Sequence, residues 1–197
     1  MKTKNLVLCA VCAALTCVLA PLSVPITGMV PITLATFAVM LSGVLLGGRL
    51  GALSQVIYLI IGAVGVPVCA GFTPALPRIL GPTGGYLIGY IPLAFICGAI
   101  YSRWGRNAHG VKKFAVMIGG MIAGTAVLYA FGTAWFCILQ HVDVIYALTI
   151  CVVPFLIGDA LKIAVVAILV PGLEKAISKI PDHTLWTKTE KAEKVEK

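Results

Sequence analysis

ITLATFAVMLSGVLLGGRLGALSQVIYLIIGAVGV, residues 32–66, holds two apolar runs, 32–47 and 50–66, parted only by Gly47, Gly48 and Arg49. Each run approaches the ~20 residues that cross a ~30 Å hydrocarbon core as a helix. Two such runs joined by so few polar residues predict a tight helical hairpin inside a bilayer. Further apolar runs lie at about 5–21, 83–101, 114–137 and 146–171. The chain is therefore expected to be an all-α, polytopic membrane protein with six transmembrane helices. Pro154 falls inside the last run, and proline suits the first turn of a helix. The final span is thus expected to start near it, with 141–153 as a short outer helix or loop.

The composition agrees. Of 197 residues, 60% are hydrophobic and 11% charged, against roughly 25% charged and 45–50% apolar in soluble domains. The net charge of +8 raises nucleic-acid binding, but the positions of the basic residues exclude it. With the six runs laid alternately across a bilayer, Lys2, Lys4, Arg49, Arg103, Arg106, Lys112 and Lys113 fall on one face. So do Lys175, Lys179, Lys188, Lys191, Lys194 and Lys197. Only Arg78 and Lys162 depart from the pattern. Basic residues gather on the cytoplasmic side, so both termini are expected there. The opening segment is basic and then apolar, like a secretory signal. It lacks a defined small-residue cleavage site near Ala20, and the parity of the charges requires it to be retained. Residues 1–175 form the membrane domain, and 176–197 a charged cytoplasmic tail in which Lys and Glu alternate.

Asp159 and Lys162, in the run Pro154-Phe-Leu-Ile-Gly-Asp-Ala-Leu-Lys162, are three apart and share a helix face. Each such charge costs roughly 2.5–3.5 kcal/mol at a membrane-helix centre, so it marks a functional site unless it only locks helices together. As a site, the pair sets an acceptor-only carboxylate beside a donor-only ammonium, which suits a neutral ligand with adjacent N–H and C=O groups. Arg78 lies in the outer connection 67–83, where its guanidinium either meets solvent or holds a carboxylate in a fork. The Gly81-Pro-Thr-Gly-Gly-Tyr86 turn that follows is either a helix entry or a pocket wall that lets backbone approach a ligand closely. Gln55 and Tyr58 are three apart on the third run, facing the same cavity or bonding to another helix. Ala10 and Ala14 form a flat strip on the first helix, for internal packing or for a partner membrane protein.

The remaining motifs exclude other chemistry. Cys9 and Cys12 have redox or metal spacing but sit in an apolar helix without a nearby histidine, and the seven cysteines read as small packing residues. His109, His141 and His183 lie in loops or tail, so no metal site is expected. Without a G-x-x-x-x-G-K-[ST] motif, the chain has no P-loop for ATP. Catalytic residues and cofactors are likewise not expected. A proton-coupled secondary transporter with Asp159 as proton carrier is the alternative to a binding protein.

Taken together and in order, Val30-Pro-Ile-Thr-Leu34, Gly47-Gly-Arg-Leu-Gly-Ala-Leu53, Tyr58-Leu-Ile-Ile-Gly-Ala-Val-Gly-Val-Pro67, Gly81-Pro-Thr-Gly-Gly-Tyr86 and Gly158-Asp-Ala-Leu-Lys162 resemble the BioY family over roughly residues 5–175. That family comprises the biotin-binding S components of energy-coupling factor (ECF) transporters. The resemblance implies a six-helix capture subunit for biotin in a prokaryotic cell membrane, energised by a transmembrane scaffold protein and two ATPase subunits. It maps the ureido-binding Asp and Lys of the family onto Asp159 and Lys162. By extension the biotin carboxylate is expected near Arg78 or the backbone of Gly84 and Gly85. Gln55, Tyr58, Thr83 and Tyr86 are expected to line the pocket, shielded by loops near 21–31 and 66–83, and Ala10 and Ala14 fit the strip that docks the scaffold. Many members of that family carry Gln after Pro-Ile-Thr-Leu, where this chain has Ala35.

Overall fold

A computed structural model describes residues 3–25 and 31–178. The charged tail beyond Ser178 and the centre of the 21–31 loop lie outside the described residues. The fold is mostly helical. Helix α1 (Thr3–Leu19) leads into a small antiparallel hairpin of β1 (Ser23–Pro25) and β2 (Pro31–Thr33), with Val24 opposite Ile32. There follow α2 (Ala35–Leu46), α3 (Gly48–Ala63), the short α4 (Ala75–Leu80) and α5 (Gly84–Ile100). A π-helical turn (Tyr101–Gly105) extends α5, and α6 (Val111–Gln140), α7 (Val144–Cys151) and α8 (Val153–Ser178) complete the chain.

Among the described residues three helical segments are long and apolar enough to cross a membrane: Gly84–Gly105, Val111–Gln140 and Val153–Ile177. Asn5–Leu19, Ala35–Leu46 and Gly48–Ala63 are apolar but shorter. The run at 32–47 yields only the 12-residue α2 because Pro31–Thr33 is spent on the hairpin, which holds it extended against β1. The last run divides as the proline foretold, with α7 ending at Cys151 and Pro154 in the first turn of α8.

The helices pack by backbone approach as much as by side-chain interlock. A β-carbon added at Gly98 would land on the Gly43 carbonyl, and one at Gly43 would lie 2.5 Å from the Ala94 carbonyl oxygen. Any larger residue would drive α2 off α5. Gly47 ends α2 at φ 83°, a conformation that glycine adopts readily, and this lets α3 begin at the next residue. The interior holds Met40, Leu93, Met117, Met121, Leu128 and Phe136, all essentially inaccessible. Outward-facing Ile138, Ile157, Leu161 and Ile168 are each at least two-thirds exposed, a surface that hydrocarbon covers and water would not.

Candidate functional site

Three helices converge on Asp159. Lys162, one turn further along α8, donates from Nζ to Asp159 Oδ1 over 3.0 Å. Thr36, in the first turn of α2, accepts from the same Nζ at 2.9 Å and donates to Oδ1 at 3.2 Å. Tyr129 of α6 donates its hydroxyl to Asp159 Oδ2. The i, i+3 spacing brings the two charges together, and helices α2 and α6 supply the neutral groups that make burial tolerable. Asp159 and Lys162 are 4% and 8% exposed. A carboxylate has about four lone-pair positions and an ammonium three protons. Asp159 fills three, two of them on Oδ1, and Lys162 uses two, so one acceptor position, on Oδ2, and one ammonium proton remain unspent.

These groups line one cavity. Its wall includes Thr33, Tyr58, Cys69, Arg78, Thr83, Tyr86, Leu87, Tyr90, Leu128 and Phe155. With Thr36, Tyr129, Asp159 and Lys162 they come from β2, the start of α2, the later part of α3, the 64–83 connection with α4, the starts of α5 and α8 and the later part of α6. The cavity therefore sits at one end of the bundle, beneath the β-hairpin and the 64–83 connection. Aromatic rings and leucines supply apolar surface between the polar groups. Tyr58 is held by donating to the Val68 carbonyl at 3.2 Å, with its ring 6.4 Å from that of Tyr90. Tyr86 pairs its hydroxyl with Thr133.

Arg78 lies at the same cavity on α4. Its Nε donates to Thr73 Oγ1 and one Nη2 proton to the Ala70 carbonyl, both at 3.0 Å. These two bonds aim the guanidinium, and no carboxylate pairs with it among the described residues.

Asp159, Lys162, Arg78, Tyr58, Thr83 and Tyr86 thus meet at one cavity, whereas Gln55, Gly84 and Gly85 are not among its lining residues. The Gln55 amide is fully buried and donates to Ser42 at 2.9 Å, Ser54 at 3.0 Å and Thr16 at 3.5 Å. It takes the helix-to-helix bond that its spacing left open. Gly84 and Gly85 do allow close approach, but to the Ile79 carbonyl and to Trp135 and the Phe131 carbonyl. Trp135 secures the same turn by donating to the Gly81 carbonyl at 3.0 Å. Ala10 and Ala14 are exposed on α1. Sequence reasoning missed Thr36, Tyr129 and Tyr90. Thr36 follows the Pro-Ile-Thr-Leu run and had a local signal, while Tyr129 had none.

A model of the BioY family matches residues 1–179. The chain belongs to the BioY family. The chain matches two BioY proteins over nearly their whole length. The "Probable biotin transporter BioY" of Pyrococcus horikoshii is 40% identical over 174 residues, covering 88% of this chain and 98% of that one. The "Biotin transporter BioY" of Thermotoga maritima is 35% identical over 172 residues, covering 87% and 96%. Among solved structures, the S-component for biotin from an ECF-type ABC transporter superposes with a TM-score of 0.80 at 25% identity, over 88% of this chain and 92% of that one. The BioY family is a transporter substrate-binding family, and this chain is not an enzyme.

Proposed function

We propose that this BioY chain captures biotin as the substrate-specific subunit of an ECF-type transporter. The observation that carries the reading is the unspent acceptor on Asp159 together with the unspent donor on Lys162. The ureido ring of biotin offers an N–H and a C=O next to each other. The N–H donates to Asp159 and the carbonyl accepts from Lys162, so two buried charges gain their last partners. Buried polar groups left unpaired cost about 1–3 kcal/mol each, and more when charged. A ligand lacking either group is therefore rejected more strongly than it would be by shape alone.

Arg78 takes the carboxylate, using guanidinium protons that Thr73 and Ala70 leave free. Tyr58, Tyr86, Tyr90 and Leu87 cover the sulfur-containing ring and the aliphatic chain. Gln55 supports this wall at one remove by fixing α3, and Gly84 and Gly85 do so by fixing the start of α5. Relatives described as biotin transporters and the likeness to an ECF S-component for biotin support the assignment. The reading extends to six membrane crossings with cytoplasmic termini, residence in a prokaryotic plasma membrane, a scaffold protein docked on the Ala10 and Ala14 strip, and two ATPases that energise release.

The test is calorimetric titration of the purified, detergent-solubilised protein with biotin, riboflavin and thiamine, with Asp159→Asn alongside. Tight binding of biotin alone, lost in the variant, is expected. Folded protein that ignores biotin would sink the reading.

A further inference from the structure

At the end of the bundle away from the cavity, basic and apolar side chains alternate around the turn between α5 and α6. Arg103 and Trp104 close one candidate span, and Val111, Lys112, Lys113 and Phe114 open the next, so the whole turn lies at the edge of hydrocarbon. Its basic residues divide into two kinds. Lys113 is committed to Glu174 at 2.6 Å and Arg106 reaches the Leu45 carbonyl at 3.3 Å. Arg103 and Lys112 make no ion pair among the described residues. The Arg103 guanidinium instead lies 5.8 Å from the centroid of the Trp104 ring. Arg49 joins them, because the Gly47–Gly48 turn packs against Ser102 and Ala99, and it too has no ion pair among the described residues.

The chain contains no acidic residue before Asp143, and Glu174 is already occupied. Among the described residues this surface therefore has three uncompensated cations and no free carboxylate. Trp104 is 58% exposed, Val111 85% and Phe114 40%. Indole rings and apolar side chains settle at the headgroup level, and basic side chains beside them attract anionic headgroups over about a Debye length.

We infer that Arg49, Arg103 and Lys112 hold the headgroup of an anionic phospholipid, while Trp104, Val111 and Phe114 lie along its acyl chains. The phosphate diester meets the guanidinium of Arg103 and the ammonium of Lys112, and Trp104 sets the depth of the turn. The inference requires a bilayer around the protein but does not depend on which solute fills the cavity.

Native mass spectrometry of the full chain, exchanged into detergent with equimolar phosphatidylglycerol and phosphatidylcholine, tests it. Phosphatidylglycerol should be retained at roughly tenfold lower concentration, and the preference should shrink as salt rises. Arg103→Gln with Lys112→Gln should remove the preference and leave biotin binding unchanged. Equal retention of both lipids by the unaltered protein would overturn the inference and assign the patch to a protein partner. A preference that survives the double substitution would overturn it as well. Displacement of the lipid by millimolar inorganic phosphate would show a soluble-anion site and do the same.

Discussion

Among the described residues two ion pairs are built on a buried acid, one at each end of the molecule, and they are built differently. Asp159 and Lys162 lie on one helix, line a cavity and keep an acceptor and a donor unused. Glu174 and Lys113 come from α8 and α6, 61 residues apart. Glu174 also accepts from Tyr101 of the π-helical turn at 2.9 Å, and the Lys113 ammonium lies 6.0 Å from the Tyr101 ring centroid. The second pair ties three elements together and leaves little for a ligand to take up. The lesson is that a buried charge signals binding through its unfilled valences, whereas burial of the acid alone is common to both pairs.

The sharpest way to break the comparison is to neutralise each acid separately. Asp159→Asn should weaken biotin binding by at least about a hundredfold, since an amide puts a donor where the ligand donates and leaves Lys162 without its counter-charge. Titration calorimetry reads the loss directly, and retained affinity would make the pair structural. Glu174→Gln should do the reverse. It should lower the thermal midpoint in detergent by several degrees, because removing one partner of a buried pair strands the other, while biotin affinity stays within about threefold. Lys113 is partly exposed, which holds this loss below that of a fully buried pair.

Arg78→Gln should weaken biotin about tenfold or more, through loss of a charge-assisted fork. Biotin methyl ester should bind the variant and the original protein almost equally. Equal losses for acid and ester would remove Arg78 from the carboxylate. Tyr129→Phe should cost least, about fivefold in affinity for the loss of one hydrogen bond to Asp159, and an effect as large as that of Asp159→Asn would shift the centre of the site to Tyr129. One further test separates capture from proton coupling. Vesicles holding this chain alone should show no biotin uptake that follows an imposed pH gradient, and such uptake would favour a proton-carrying Asp159.

The cavity pair was legible because its spacing is local. Three residues on a helix place two side chains together whatever the rest of the fold does, and Arg78 stood out by falling on the wrong side of the charge pattern. Glu174 was not legible, because its partners Lys113 on α6 and Tyr101 on the π-helical turn are joined to it only by tertiary packing. The same limit hid Tyr129. Gln55 shows a different limit. Its position on α3 was clear, but helical periodicity does not say which of two buried sides holds a ligand and which holds Ser42 and Thr16. The apolar runs marked all the long helices, yet hydropathy alone could not foresee that Pro31–Thr33 would pair as a strand and shorten α2.

Helix length has a consequence for the surrounding lipid. At 1.5 Å per residue, the 30 residues of α6 and 26 of α8 extend roughly 45 and 39 Å, beyond the ~30 Å of hydrocarbon. The 17 residues of α1 and 16 of α3 extend only about 26 and 24 Å. On the proposed reading in which all four cross the membrane, one flank is tall and the other short, and a membrane of uniform thickness would be stretched along α6 and α8 and squeezed along α1 and α3. Mismatch of this kind carries fractions of a kcal/mol per ångström. That elastic strain would be relieved by anything other than lipid covering the short flank, the flank that carries Ala10 and Ala14.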